Sequence, residues 1–294
     1  MSLRALSIVT VTVVLLWSGS ASAVPFFFST GDVNGQIATA SRPSSPGKVE
    51  IETGDDFVVS GGTLKLTSAT FQGLIPSGSS LSNIGTVRVE IYRVFPADSD
   101  VGRTSGPPTF STSQVPTRVN SPSDVALDSR ESGGGGLTFT PGIVQSTFTA
   151  ANSIVNGIHP LPNVLTGGEG AATGQRVQFN VLFSTPFSLP ADHYFFVPQV
   201  ELASGDFLWL SSVRPIVSPG TPFAPDLQSW IRNENLDPDW LRIGTDIVGA
   251  GTFNAAFTLD GDLSPVPEPA TLLLLGTSMV GAGLVARRRR QRLG

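Results

Sequence analysis

Val177-Gln178-Phe179-Asn180-Val181-Leu182-Phe183-Ser184 sets apolar side chains at every second position, with polar residues filling most of the gaps between them. Period two is the repeat of a strand with one face on a core and one on water. The same rhythm recurs on both sides of this stretch. Val87, Val89 and Ile91 alternate with Arg88, Glu90 and Tyr92, and Phe253, Ala255, Phe257 and Leu259 alternate with Asn254, Thr258 and Asp260. Further strand candidates are residues 56–60, 63–71, 137–140, 193–202 and 207–213. Pro198 would place the fourth of these at a sheet edge or at a bulge, because proline cannot donate to a ladder. About eight strands and no long helical period predict an all-β body, an antiparallel β-sandwich of jelly-roll-like character. Ser204-Gly205-Asp206 reads as a hairpin turn between neighbouring strands.

Composition agrees. The chain has 294 residues, with 32 glycines and 23 prolines to punctuate short strands and 18 phenylalanines to fill a core. Only 14% of residues are charged, too few for a charge-rich disordered chain. Zero cysteines exclude disulfides, thiolate metal sites and cysteine nucleophiles together. The formal net charge is −5, yet Arg4, Arg287, Arg288, Arg289, Arg290 and Arg292 all lie near the chain ends. The body is therefore more acidic than the whole, which disfavours nucleic acid as a partner. Residues 96–136, rich in proline, serine and glycine, break the strand rhythm. They read as an ordered excursion over one sheet, anchored by Val115, Val119, Val125 and Leu127 and ending in a mobile run of four glycines, 133–136.

Both ends carry addresses. Met1-Ser2-Leu3-Arg4 is a positive start, residues 5–17 are apolar, and Ala21-Ser22-Ala23 is an A-x-A cleavage signal. Residues 1–23 therefore read as a secretory signal peptide, with Ala21 and Ala23 specifying the cut and Val24 beginning the mature chain. The extracytoplasmic domain spans 24–263. From 264 to 294 the chain reads Ser264-Pro265-Val266-Pro267-Glu268-Pro269, an apolar run over 270–286, then Arg287-Arg288-Arg289-Arg290. As a helix that run is about 26 Å long, at the short end of a single transmembrane span. The arginines hold its far end in the cytoplasm by the positive-inside bias.

This tail resembles the PEP-CTERM sorting signal of Gram-negative bacteria, on Val266-Pro267-Glu268-Pro269, the helix starting at Ala270 and the four arginines 287–290. The resemblance implies that an exosortase reads Pro267, Glu268 and Pro269 after a transient stay in the inner membrane. It also implies delivery to the cell surface or to an extracellular matrix of exopolysaccharide and biofilm. The body is similar to β-sandwich domains often joined to such tails. Asp55-Asp56-Phe57-Val58-Val59 resembles their opening strand and Leu189-Pro190-Ala191-Asp192-His193-Tyr194-Phe195-Phe196 a turn and strand, with Asp192 where glycine is usual. Ala256-Phe257-Thr258-Leu259-Asp260-Gly261 resembles their closing strand.

No residue constellation points to a reaction. His159 and His193 are the two histidines, and no G-x-S-x-G elbow accompanies them. Each reads as a turn or surface residue. Glu90 and Glu201 are strand carboxylates of the kind a glycosidase pairs, with nothing in the sequence to bring them together. Asp98-x-Asp100, Asp237-x-Asp239 and Asp260-x-Asp262 offer oxygen ligands for a structural calcium, though aspartate is equally a turn former. No other metal or cofactor is expected. Trp230 and Trp240 flank Ile231-Arg232-Asn233-Glu234-Asn235-Leu236-Asp237-Pro238-Asp239, a set that could stack on and hydrogen-bond a sugar, or else fold that loop onto the sandwich. The expectation is a structural or adhesive surface protein that is not an enzyme. A carbohydrate-binding module stands as the alternative and a secreted hydrolase as the second.

Overall fold

A computed structural model describes residues 22–159, 161, 163–213, 226–249 and 251–265. The signal peptide up to Ala21, the motif Pro267, Glu268 and Pro269, the apolar run, and Arg287, Arg288, Arg289 and Arg290 lie outside the described residues. Fourteen strands are found among those described: β1 (Val24–Ser29), β2 (Val33–Ala40), β3 (Ile51–Val59), β4 (Gly62–Pro76), β5 (Ile84–Arg93), β6 (Asp128–Glu131), β7 (Leu137–Ala150), β8 (Asn152–Ile154), β9 (Ala172–Leu189), β10 (Asp192–Leu202), β11 (Leu208–Ser212), β12 (Trp230–Asn233), β13 (Leu241–Arg242) and β14 (Phe257–Pro265). The body is all-β, as the alternation predicts, with more strands than the eight or so expected. Among the described residues no helix is long and apolar enough to cross a membrane.

The strands form two sheets. One runs β1-β14-β4-β11-β2-β8, with β9 on the other side of β4 and β7 beyond β9; the other runs β13-β12-β3-β10-β5-β6. Every pairing is antiparallel except β2 with β8. Inward-facing residues of both sheets share one core, which includes Phe57, Val89 and Phe196 from the smaller sheet and Phe71, Phe179, Trp209 and Phe257 from the larger. Phe196 stacks on Phe257 at 5.1 Å between ring centroids and meets the edge of Trp209 at 6.1 Å. Each such ring contributes roughly 1.5–3 kcal/mol by leaving water. The sheets therefore pack face to face.

β4 passes from β14 to β11 at Gly73, which pairs with Trp209. A Cβ at Gly73 would sit 2.2 Å from the Phe207 ring, so glycine is what lets that ring press edge-on against Phe71 and Phe179.

Two local expectations are corrected. Ser204-Gly205-Asp206 does not close a hairpin, because it carries the chain from β10 in one sheet to β11 in the other. Pro198 sits neither at a sheet edge nor at a bulge, because β10 is central. The β3 ladder ends at Phe196 opposite Asp55, so proline's missing N–H falls where only β5 is paired. The one register shift between β10 and β5 comes later, between Val200 and Leu202.

The excursion 96–136 is folded onto the outer face of the smaller sheet, and its last part supplies β6 to the edge of β5. Val115 is buried as expected and Val119 half-buried, but the side chains of Val125 and Leu127 are 59% and 40% exposed, and Leu127 is tied down through its N–H to the Ile91 carbonyl at 2.8 Å. Polar side chains do most of the anchoring. Arg118, 2% exposed, pairs with Asp124, donates to the Asp100 carbonyl at 3.0 Å and lies over the Phe95 ring at 4.3 Å. Arg103 reaches Asp124 and Asp239 at 3.1 Å each, tying the excursion to the loop after β12. Gly133, Gly134, Gly135 and Gly136 belong to a turn closed by Gly136 N–H to the Glu131 carbonyl at 3.0 Å.

Candidate functional site

Period two along β3, β5 and β12 puts Glu52, Glu90, Tyr92 and Arg232 on the outer face of the smaller sheet, opposite the core-facing Ile51, Val89, Ile91 and Ile231. The excursion and the loop 234–240 wall this face off. The result is a cavity of about 370 Å³ lined by Glu50, Glu52, Glu90, Tyr92, Arg232 and Asp237, among others.

Arg232 is its hub. The guanidinium is ion-paired with Glu52, reaches Asp237 Oδ1 at 2.7 Å, and donates to the Tyr92 hydroxyl at 2.8 Å and the Asp124 carbonyl at 3.0 Å. It also lies over the Trp240 ring at 4.4 Å and the Tyr92 ring at 5.2 Å. Tyr92 in turn donates to Glu52 at 2.5 Å. Burial works against the charged guanidinium, but Glu52 and Tyr92 outweigh it and hold Arg232 above the ordinary arginine range.

The carboxyls beside it are perturbed the other way. Burial, reinforced by Glu52, pushes Glu90 up to about 8. Glu90 shares a hydrogen bond with Glu52 and lies 3.4 Å from the Tyr92 hydroxyl. Burial also raises Glu50, against the pull of a 2.8 Å hydrogen bond from Gln199 Nε2. Two carboxyls crowded in a half-dry site cannot both ionise cheaply, so one keeps its proton near neutrality. Chemically the cavity offers a proton donor, carboxylate acceptors and a fixed cation.

The sequence offers Glu90 and Glu201 as strand carboxylates without bringing them together. In the structure they have different neighbours: Glu201 accepts from the Thr86 N–H at 3.1 Å, and Glu90 meets Glu52. Glu50, Glu52 and Arg232 were missed as a group. The legible signal was in β5 and β12, where Glu90 alternates with Val89 and Ile91, and Arg232 with Ile231.

Trp230 and Trp240 are not a sugar platform. They are 1% and 2% exposed, packed with Tyr92, Phe195, Val197 and Leu227 in a small separate cluster under the excursion. Trp240 meets Tyr92 edge-on at 5.3 Å and donates its indole N–H to the Ser123 carbonyl at 3.1 Å. Neither ring shows a face to solvent, so both fold the loop onto the sheet.

His193 is likewise not a surface residue. At 2% exposure its Nε2 lies 2.5 Å from Asp56 Oδ2. Asp56 accepts from the Leu227 N–H, and the adjacent Asp55 accepts from the Ser229 hydroxyl at 2.8 Å and the Ala255 N–H at 2.9 Å. Burial pushes both aspartates up, Asp55 the further. This Ser, His and Asp set is sealed and tied to backbone amides, and Ser229 faces Asp55. It stitches the segment after β11 to β3. His159, the other histidine, accepts the Leu161 N–H at 3.3 Å through Nδ1 in its own loop.

The calcium candidates are otherwise engaged. Asp98 is held by Arg93, Asp100 accepts the Gly102 N–H, Asp237 pairs with Arg232, and Asp239 with Arg103 and Thr112. Asp260 and Asp262 stand in mid-strand on β14, opposite Phe27 and Pro25. Among the described residues no three ligand-type side chains gather as a metal site would need.

No curated protein and no solved structure matches this chain. Residues 265–290 match the family model of the PEP-CTERM protein-sorting motif, which takes in Pro267, Glu268, Pro269 and the arginines 287–290. That motif marks an exported protein held by a C-terminal membrane anchor until an exosortase sorts it. With this tail behind a β-rich body, the chain is a PEP-CTERM protein.

Proposed function

We propose that the protein is a non-catalytic structural or adhesive component of the cell surface or of an extracellular matrix, in company with exopolysaccharide. The sorting motif carries this reading. Two features of the body support it. Packing and buried ion pairs hold it together, and the His193–Asp56 pair is buried away from solvent. The test is the intact mass of protein recovered from the envelope. The expected species starts at Val24 and lacks the apolar run. A chain still carrying residues 270–286 overturns the reading. Replacing Arg287, Arg288, Arg289 and Arg290 with glutamate should cut surface yield about tenfold or more, since the tail then loses its cytoplasmic stop. Unchanged yield removes that role from the cluster.

The outer-face cavity favours a second reading, carbohydrate binding, at a different place from the two tryptophans. Glu90, turning its one proton from Glu52 to the ligand, with Glu50 and Asp237 as acceptors, suits the paired hydroxyls of a sugar ring. Retention on purified host exopolysaccharide should fall about tenfold for Glu90→Ala, which removes the donor, while Glu201→Ala retains fully. Equal retention of the two variants discards the site. Turnover of polysaccharide by the wild type would instead favour a hydrolase using the Glu90 proton.

A further inference from the structure

β1 lies at the margin of the larger sheet and pairs with β14 alone, Val24 opposite Leu263 and Pro25 opposite Asp262. β14 is held on its other side by β4, and that pairing continues past the start of β1 to Ser264 opposite Thr63 and Pro265 opposite Gly62. The first residue after the signal cut and the last ones before the sorting motif therefore share one end of one sheet. Only Val266 separates Pro265, paired in the sheet, from Pro267 of the motif.

This spacing is short for an enzyme. Peptide-reading enzymes commonly take their substrate as an added extended strand, several residues long. From Pro265 to Glu268 the chain can reach about 10 Å at most. Freeing Ser264 and Pro265 is cheap, because β1 does not cover them and Ser264 is exposed. Leu263 is different, being partly buried against the core and paired with Val24. Behind it the ladder shifts register between Asp260 and Gly261, and a Cβ on Gly261 would sit 2.3 Å from the Lys65 carbonyl oxygen. That close fit marks where peeling stops.

We infer that the motif-reading membrane enzyme docks against this sheet end, formed by Val24, Pro25, Gly62, Thr63 and residues 263–265, and that β1 gates its access. The inference rests on the sorting reading above. The enzyme gains enough chain when Leu263 leaves the sheet, and the β1–β14 pairing sets how often it does. Release of the body is then coupled to local opening of one strand pair, a low-cost motion at a sheet margin.

The chain's lack of cysteines makes the test clean. Pro25 and Asp262 are directly opposed and both exposed, so Pro25→Cys with Asp262→Cys allows a staple across the pair after export. Pulse-chase of tail removal in the native host should show the oxidised form processed about tenfold more slowly than the same chain with reductant. Eight glycine and serine residues inserted between Val266 and Pro267 should abolish that difference, and should speed processing of the otherwise wild-type chain. Equal rates for stapled and reduced chains, or an insertion without effect, overturn the gate while leaving the sorting reading intact. A wild-type chain that never loses its tail overturns both.

Discussion

Replacing Arg232 with alanine is expected to lower the unfolding free energy of the body by about 3–5 kcal/mol. The guanidinium is enclosed with Glu52, both side chains being 6% exposed. Its removal leaves a buried carboxylate with only the Tyr92 hydroxyl and the Glu90 carboxyl near it, and also strips the stacking from Trp240. In a domain of this size the melting temperature should fall by about 10 °C. Near-ultraviolet circular dichroism should lose the contribution of Trp240, and trypsin should cut sooner at Arg103 and Arg118, since the excursion hangs on the same network. Arg88→Ala is the control. Its partners Glu50 and Glu131 are 30% and 44% exposed, and such pairs contribute less than about 1 kcal/mol. A Glu52→Gln change added to Arg232→Ala should recover at least about 1 kcal/mol, because it removes the stranded charge. If Arg232→Ala costs no more than Arg88→Ala, the hub assigned to Arg232 does not exist.

That hub also shows where sequence reading ran out. The strands whose second face is polar were legible: Val177, Phe179 and Val181 alternate because water lies on one side, and Val87, Val89 and Ile91 because their outer neighbours Arg88, Glu90 and Tyr92 serve a polar site. β3 and β10 were harder, because both of their faces are covered. Asp55, Asp56 and His193 look like surface residues by type, yet they are buried because each finds a partner across three segments distant in sequence. Single-chain periodicity carries no information about such pairing. β7 was truncated for the opposite reason. From Gly142 to Thr147 both faces are exposed, so hydrophobic alternation vanishes although the ladder with β9 resumes after two register shifts. Trp230 and Trp240 were ambiguous between ligand platform and internal packing. What decided it was the excursion, which Arg103, Arg118 and Asp124 hold down together with Val115. The tail was the reverse case. Its three parts work by chain order and hydropathy, so they could be recognised with no fold at all.

Stability should decline as pH rises through the neutral range, with Glu90 the main cause. Its carboxyl is raised from 4.5 to about 8 in the folded body, so the folded state binds its proton more tightly than the unfolded chain. The stabilisation from that proton is fully present below the unfolded value near 4.5 and drains away as pH climbs through about 8. Within that window the slope approaches about 1.4 kcal/mol per pH unit, giving a loss on the order of 3 kcal/mol by pH 9. Glu50, Asp55 and Asp56 are raised by burial as well and add to the same trend, whereas Asp98, lowered by its hydrogen bond to Arg93, acts only in the acid range. Glu90→Gln isolates the effect, because the amide still donates a hydrogen bond to Glu52 but cannot ionise. Urea unfolding at pH 5 should find the variant within about 1 kcal/mol of wild type. At pH 9 it should be the more stable protein by on the order of 3 kcal/mol, with a visibly flatter profile between. Parallel profiles for the two proteins across that range would mean that Glu90 ionises in the folded body as freely as in water. The cavity would then hold no proton to lend to a bound sugar.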